Sequence, residues 1–135
     1  MSAATVRDYM TAQPHTIGRN QPLAVAHQLM QKRRIRHLPV LDAGKLVGMV
    51  SMRDLHFIET FADVDVETVR VEDAMSDEPY AVSPGTRLST VAATMAKRRY
   101  GSAVVMEAGE VIGVFTTTDA LRALSELTGR RARQG

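Results

Sequence analysis

Apolar positions fall at helical spacing in two matching stretches. Leu23, Ala26, His27, Met30 and Arg34 share one face of a predicted helix, and Leu88, Val91, Ala92 and Met95 form the same stripe later. Asn20 is placed to cap the first helix, with Pro22 in its first turn, and Thr86 is placed to cap the second. Both end in basic residues, which suit a helix C-terminus. Short apolar runs follow each helix. Leu38–Leu41 and Leu46–Val50 flank Asp42-Ala43-Gly44-Lys45, and Ala103–Met106 and Val111–Phe115 flank Glu107-Ala108-Gly109-Glu110. These read as hairpins, with Gly44 and Gly109 supplying the positive φ of the turn. A last helix is predicted over 52–61 and again over 117–127. A helical turn (6–10, 71–75) and an extended piece (15–17, 80–82) open each stretch.

The predicted elements repeat because the sequence repeats. At one constant offset Met10 meets Met75, Pro14 meets Pro79, Leu23 meets Leu88, Met30 meets Met95, Gly48 meets Gly113 and Asp54 meets Asp119, without a gap. The chain therefore reads as two β-α-β-β-α copies related by a pseudo-two-fold axis, an α/β (α+β) fold packed through its sheets. Two such copies would present two equivalent clefts. The copies are placed at 1–62 and 71–127, joined by a linker at 63–70 and followed by a disordered basic tail at 128–135. Each copy alone buries too little apolar surface, so one shared globular body is expected.

Composition narrows the picture. The 135 residues are 44% hydrophobic, which argues against disorder. There is no cysteine, hence no disulfide framework and no thiolate chemistry. No apolar run is long enough for a membrane span, and residues 1–10 have no signal-peptide core, so a cytoplasmic protein is expected. Net charge is +2. The basic residues bunch in 32–37, 97–99 and 130–133, but the overall balance does not favour a nucleic-acid binder.

One string occurs twice: Gly48-Met49-Val50-Ser51-Met52-Arg53-Asp54 and Gly113-Val114-Phe115-Thr116-Thr117-Thr118-Asp119. It ends a strand and opens a helix. Ser/Thr-x-x-Asp there can be a plain capping box. The same geometry suits a nucleotide: the helix N-terminus and the hydroxyl favour phosphate, and the carboxylate can accept both hydroxyls of a ribose. Residue chemistry alone leaves both readings open. Arg33, Arg34, Arg98 and Arg99 likewise read as dipole-matched surface residues or as phosphate contacts.

The repeat resembles a tandem pair of cystathionine-β-synthase (CBS) domains, the Bateman module. The resemblance rests on Val6-Arg7-Asp8-Tyr9-Met10 and Val71-Glu72-Asp73-Ala74-Met75, on Arg36-His37-Leu38-Pro39-Val40, and on the twice-present Gly-x-x-Ser/Thr-x-x-Asp. It implies a regulatory module for an adenosine-containing ligand such as AMP, ADP, ATP or S-adenosylmethionine, with no required cofactor. The Asp would lie on ribose, the Ser/Thr towards phosphate, and the adenine against backbone. One implied set joins Thr16, Ile17, Arg36, His37 and Pro39 to Thr116, Thr118 and Asp119. The other joins Ala81, Val82, Gly101 and Ser102 to Ser51, Arg53 and Asp54. Three hydroxyls crowd the second helix start, so the Asp119 set is expected to be the tighter. The resemblance also implies a disc-like homodimer. Leu55, Ile58 and Phe61, with Leu121, Leu124 and Leu127, are the apolar residues expected to serve it. Output would act in trans on a separate protein target.

The other readings are a dimerisation or interaction module with empty clefts, a nucleic-acid binder, and an enzyme, in that order. His15, His27, His37 and His56 lack metal-ligand spacing, no activated nucleophile or acid/base pair stands out, and the methionines read as packing.

Overall fold

The computed structural model describes residues 3–134, with side chains through Gly129. In chain order the elements are α1 (Val6–Tyr9), β1 (Thr11–Ala12), β2 (Ile17–Gly18), α2 (Leu23–Arg33), β3 (His37–Asp42), β4 (Lys45–Ser51), α3 (Met52–Glu59), α4 (Val71–Ala74), β5 (Ala81–Val82), α5 (Leu88–Arg98), β6 (Ser102–Glu107), β7 (Glu110–Thr116) and α6 (Thr117–Gln134). The fold is mixed α+β with two sheets.

The chain divides into two compact units. The central unit is Pro14–Pro79; the terminal unit joins the residues up to Gln13 to those from Tyr80 onward. The central sheet has the order β2-β3-β4, with β2 parallel and β4 antiparallel to β3. Ile17, Leu23, Met30, Leu38, Val40, Val50, Leu55 and Val71 form its core. The terminal sheet has the order β1-β7-β6-β5, and its core holds Val6, Tyr9, Leu88, Val91, Met95, Val105 and Phe115. β1 has only two residues, too few for an alternation to be read in sequence, and pairs antiparallel with β7. At the matching place the central unit has only a bridge between Met49 and Ser76.

These bodies divide the chain differently from the sequence copies. The opening turn of each copy belongs to the body that holds the main helix of the other. Val6 N–H donates to the Thr86 carbonyl (2.9 Å) and Leu88 N–H to that of Ala4 (2.9 Å). In the central unit Val71 N–H donates to Gln21 (2.9 Å), Leu23 N–H to Val69 (2.8 Å) and Ala24 N–H to Val66 (2.9 Å). The exchange changes the expected caps. Pro22 and Arg87, not Asn20 and Thr86, stand at the N-caps, and neither makes a side-chain cap bond. Backbone carbonyls satisfy the N–H groups that a cap would otherwise serve.

The hairpins form where expected, but each turn needs positive φ at two residues: Ala43 (51°) with Gly44 (81°), and Ala108 (53°) with Gly109 (79°). Arg34 (φ 56°) is not on the helical face predicted for it. It ends α2 in the left-handed region, and Ile35 N–H returns to the Met30 carbonyl (3.0 Å), a Schellman closure; Arg99 and Tyr100 repeat it on α5. α3 stops at Glu59, short of the expected residue 61. α6 runs on to Gln134, seven residues past the expected end at Leu127, because no proline interrupts a run rich in Arg, Ala and Leu. The expected disordered tail thus has helical backbone through Gln134. The side chains of Arg130, Arg131 and Arg133, and all of Gly135, lie outside the described residues.

Candidate functional site

The twice-present string ends β4 and opens α3, then ends β7 and opens α6. Its glycine serves close packing. A Cβ at Gly48 would stand 2.7 Å from the Ser76 carbonyl oxygen and strike Met75 Sδ; a Cβ at Gly113 would strike Met10 Sδ. Each glycine therefore lets the extended residues after α4 or α1 cross the strand.

In the central unit Ser51 caps α3 in a capping box. Ser51 N–H and Oγ–H both donate to Asp54 Oδ2 (2.8 and 2.9 Å), and Asp54 N–H donates to Ser51 Oγ (3.2 Å). Among the described residues no hydrogen bond reaches Asp54 Oδ1. His37 lies opposite Ser51 across the β3–β4 ladder, and Met52 N–H donates to the Arg36 carbonyl (2.8 Å). Burial holds the His37 imidazole below the ordinary histidine range; Asp54 opposes that shift and Arg36 adds to it. The residue is therefore neutral at pH 7, a hydrogen-bonding group and not a cation.

The terminal unit repeats the box with added ties. Thr116 N–H and Oγ1–H donate to Asp119 Oδ2 (2.9 and 3.2 Å). Thr11 Oγ1–H donates to Asp119 Oδ1 (3.3 Å), and Arg122 Nη2 pairs with the same oxygen (3.4 Å). Arg122 also donates to the Tyr9 carbonyl (2.8 Å). Asp119 is 5% exposed. Ser102 lies opposite Thr116, and Thr117 N–H donates to the Gly101 carbonyl (3.2 Å).

The structure thus gathers Arg36, His37, Ser51 and Asp54 in the central unit, and Gly101, Ser102, Thr116 and Asp119 in the terminal unit. Thr16 is half-buried beside β2, whose Ile17 side chain belongs to the core, and Pro39 is buried on β3. Ala81, on β5, is exposed and Val82 half-buried; Arg53 and Thr118 are exposed in the first turns of α3 and α6. Sequence reading missed Thr11, Tyr9 and Arg122. The repeat held a signal for the last: Arg122 stands where the first copy has Phe57.

Beside each box lies a concavity. One of about 430 Å³ is lined by His27, Gln31, Arg34, Arg36, Met52 and His56 among others. Its counterpart, about 190 Å³, is lined by Ala92, Met95, Ala96, Tyr100, Thr117 and Ala120. His27 Nδ1 lies 3.0 Å from Glu59 Oε1. Among the described residues no three His, Asp or Glu side chains converge as a metal site, and no helix is long and apolar enough to cross a membrane. Of the apolar residues expected to serve a partner, Leu55 is fully buried and Ile58 packs on the core; Phe57 and Phe61 are exposed in that segment, and Leu121, Leu124 and Leu127 are exposed on α6.

Comparison with known proteins agrees with the doubled architecture. The chain is 29% identical to the AcuB protein of Vibrio cholerae, covering 98% of both chains with a TM-score of 0.85. It is 26% identical to CBSX2, whose structure contains AMP, over 92% of this chain and 98% of that one, at a TM-score of 0.78. An inosine-5'-monophosphate dehydrogenase of Korarchaeum cryptofilum is 30% identical over 131 residues, and the chain spans 25% of that protein's length. The CBS domain model matches residues 6–57 and again 71–126, so the chain belongs to the CBS-domain family and carries the domain twice.

Proposed function

We propose that the chain is a regulatory module that binds an adenosine-containing small molecule, AMP, ADP, ATP or S-adenosylmethionine, and acts in trans on a protein target. The observation that carries the reading is the doubled box, in which a carboxylate held at a helix start faces a hydroxyl and a strand-end backbone. A fixed carboxylate accepts a ribose diol, and the strand ends give an adenine edge its backbone partners. For the adenine side we assign Thr16, Ile17, Arg36, His37 and Pro39, and Ala81, Val82, Gly101 and Ser102. For ribose and phosphate we assign Ser51, Arg53 and Asp54, and Thr116, Thr118 and Asp119. The AMP bound to CBSX2, a relative at 26% identity, supports the ligand class. No catalytic role is assigned.

A thermal-shift panel of adenine and guanine nucleotides and S-adenosylmethionine tests this. A ligand at 100 times its Kd stabilises the fold by about 2.7 kcal/mol. For this length that raises Tm by roughly 5–10 °C. At least one adenosine compound should give that shift and its guanosine equivalent a smaller one. No shift from any member removes the reading.

A second reading rests on the exposed apolar stripe of α6, with Leu121 61% and Leu124 59% exposed, and separately on Phe57 of the central unit, 63% exposed on α3. Such a stripe suits a homodimer, in which the module serves association. Light scattering at tens of micromolar should show a dimer; a monomer alone removes this part.

A further inference from the structure

The two boxes differ in what remains free on the carboxylate. An ionised carboxylate offers about four lone-pair sites, two on each oxygen. Asp119 has three engaged by hydrogen bonds, Thr116 N–H and Oγ1–H on Oδ2 and Thr11 Oγ1–H on Oδ1, and Arg122 Nη2 stands against Oδ1 as an ion pair at 3.4 Å. Asp54 has both sites of Oδ2 engaged by Ser51, and no hydrogen bond among the described residues falls on Oδ1. A vicinal diol brings two donors. Asp54 can accept both without losing a bond; Asp119 must first release Thr11 and Arg122.

Two contacts make the difference, the Thr11 hydrogen bond and the Arg122 ion pair, and the second comes with a change of residue type. Arg122 sits three residues after Asp119, one helical turn along, and its other contact, the Tyr9 carbonyl at 2.8 Å, holds it over the carboxylate. Phe57 occupies the matching position in α3, is 63% exposed, and packs edge-on against Phe61 with ring centroids 5.4 Å apart. It can offer no donor to Asp54. Ser76 matches Thr11 and keeps a hydroxyl, so the arginine is the group that one copy has and the other lacks.

We infer that Arg122 decides which copy takes the ligand: its ion pair on the second oxygen of Asp119, beside the Thr11 hydrogen bond, closes that carboxylate, so that the chain binds one diol-bearing ligand, through Asp54. The inference rests on the adenosine reading, withdraws Asp119 from the ribose role in the wild-type chain, and reverses the expectation that the Asp119 set binds tighter.

Calorimetric titration of the full chain with AMP tests it. Wild type should bind one AMP per chain. Asp54→Asn removes the charge that strengthens both hydroxyl bonds and sets an NH2 donor against either Ser51 or the diol, and should weaken that event roughly tenfold to a hundredfold. Arg122→Ala should add a second event, and in the Asp54→Asn background should bring one back. Thr11→Val is the second route to a freed Oδ1, should loss of the Tyr9 contact unfold the Arg122 variant. Two wild-type events of equal affinity, or no second event in either folded variant, overturns the inference. A urea double-mutant cycle reads the contact without ligand: Asp119→Asn and Arg122→Ala should shift the midpoint non-additively, and additive shifts overturn the closure. Coupling in that cycle with no AMP heat from any variant overturns the adenosine reading, and the ligand-selecting role with it, while leaving the Arg122–Asp119 tie in place.

Discussion

Replacing Gly48 by alanine tests whether the glycine of the doubled string serves the fold. Gly48 is not at positive φ, so alanine is allowed by its backbone, and the objection is space. The added carbon stands 2.7 Å from the Ser76 carbonyl oxygen. That oxygen accepts from Met49 N–H at 2.9 Å, and Ser76 N–H returns to the Met49 carbonyl at 2.8 Å. Moving Ser76 away weakens both bonds, each contributing about 1 kcal/mol. Overpacking against Met75 and backbone adds about 1–3 kcal/mol. Stiffening of the unfolded chain offsets about 0.4–1 kcal/mol. The net expectation is a loss of about 2–4 kcal/mol. Gly113→Ala meets chiefly the flexible end of Met10, with the Thr11 carbonyl oxygen 3.2 Å away. It should lose about 1 kcal/mol. Urea unfolding of both variants, fitted with a common m-value, supplies the comparison. A Gly48→Ala loss under about 0.5 kcal/mol would refute the packing argument and leave close ligand approach as the reason for glycine.

Three further outcomes are expected. His37 has a folded pKa below its ordinary value, so over the interval below about pH 6.5 the unfolded chain binds more protons; stability therefore rises with pH through that interval and falls as pH drops, with a slope of at most about 1.4 kcal/mol per pH unit. His37→Gln should flatten it in pH-dependent urea titrations, and an unchanged slope would assign it elsewhere. Ala43→Asn and Ala108→Asn put a residue tolerant of positive φ at the first turn position, and each should raise stability by about 0.5–1 kcal/mol in thermal unfolding; a loss at both would show that the turns are not the strained kind described. Leu124→Arg, on the exposed stripe of α6, should shift light scattering towards monomer while the unfolding of the monomer stays within about 0.5 kcal/mol; a dimer unmoved by the change would place association on another surface.

What sequence conveys about this chain is local, and what it hides is exchanged between distant segments. The helical stripes, the hairpins and the capping boxes each lie within a few consecutive residues, so period and turn chemistry reveal them. Asn20 and Thr86 are well-chosen caps by that logic, yet Leu23 and Leu88 find their acceptors in Val69 and Ala4, far along the chain or before its first helix. A capping residue is favoured only where no other acceptor arrives, and no local window reports one that arrives from elsewhere. The same limit governs the two aspartates. Their boxes are legible and equal in sequence, and the hydroxyls after Thr116 even suggest that Asp119 is the better receptor. The free valence of a carboxylate depends on every donor around it, and Thr11 reaches Asp119 across 108 residues of chain. Arg122 lies near in sequence, but only its second contact, on Tyr9, fixes where its guanidinium points. Two copies of one motif can therefore differ in function through neighbours that the motif does not contain. In a repeat of this kind the informative comparison is between the positions around the shared residues, such as Phe57 against Arg122, because that is where one copy can be left open while the other is closed.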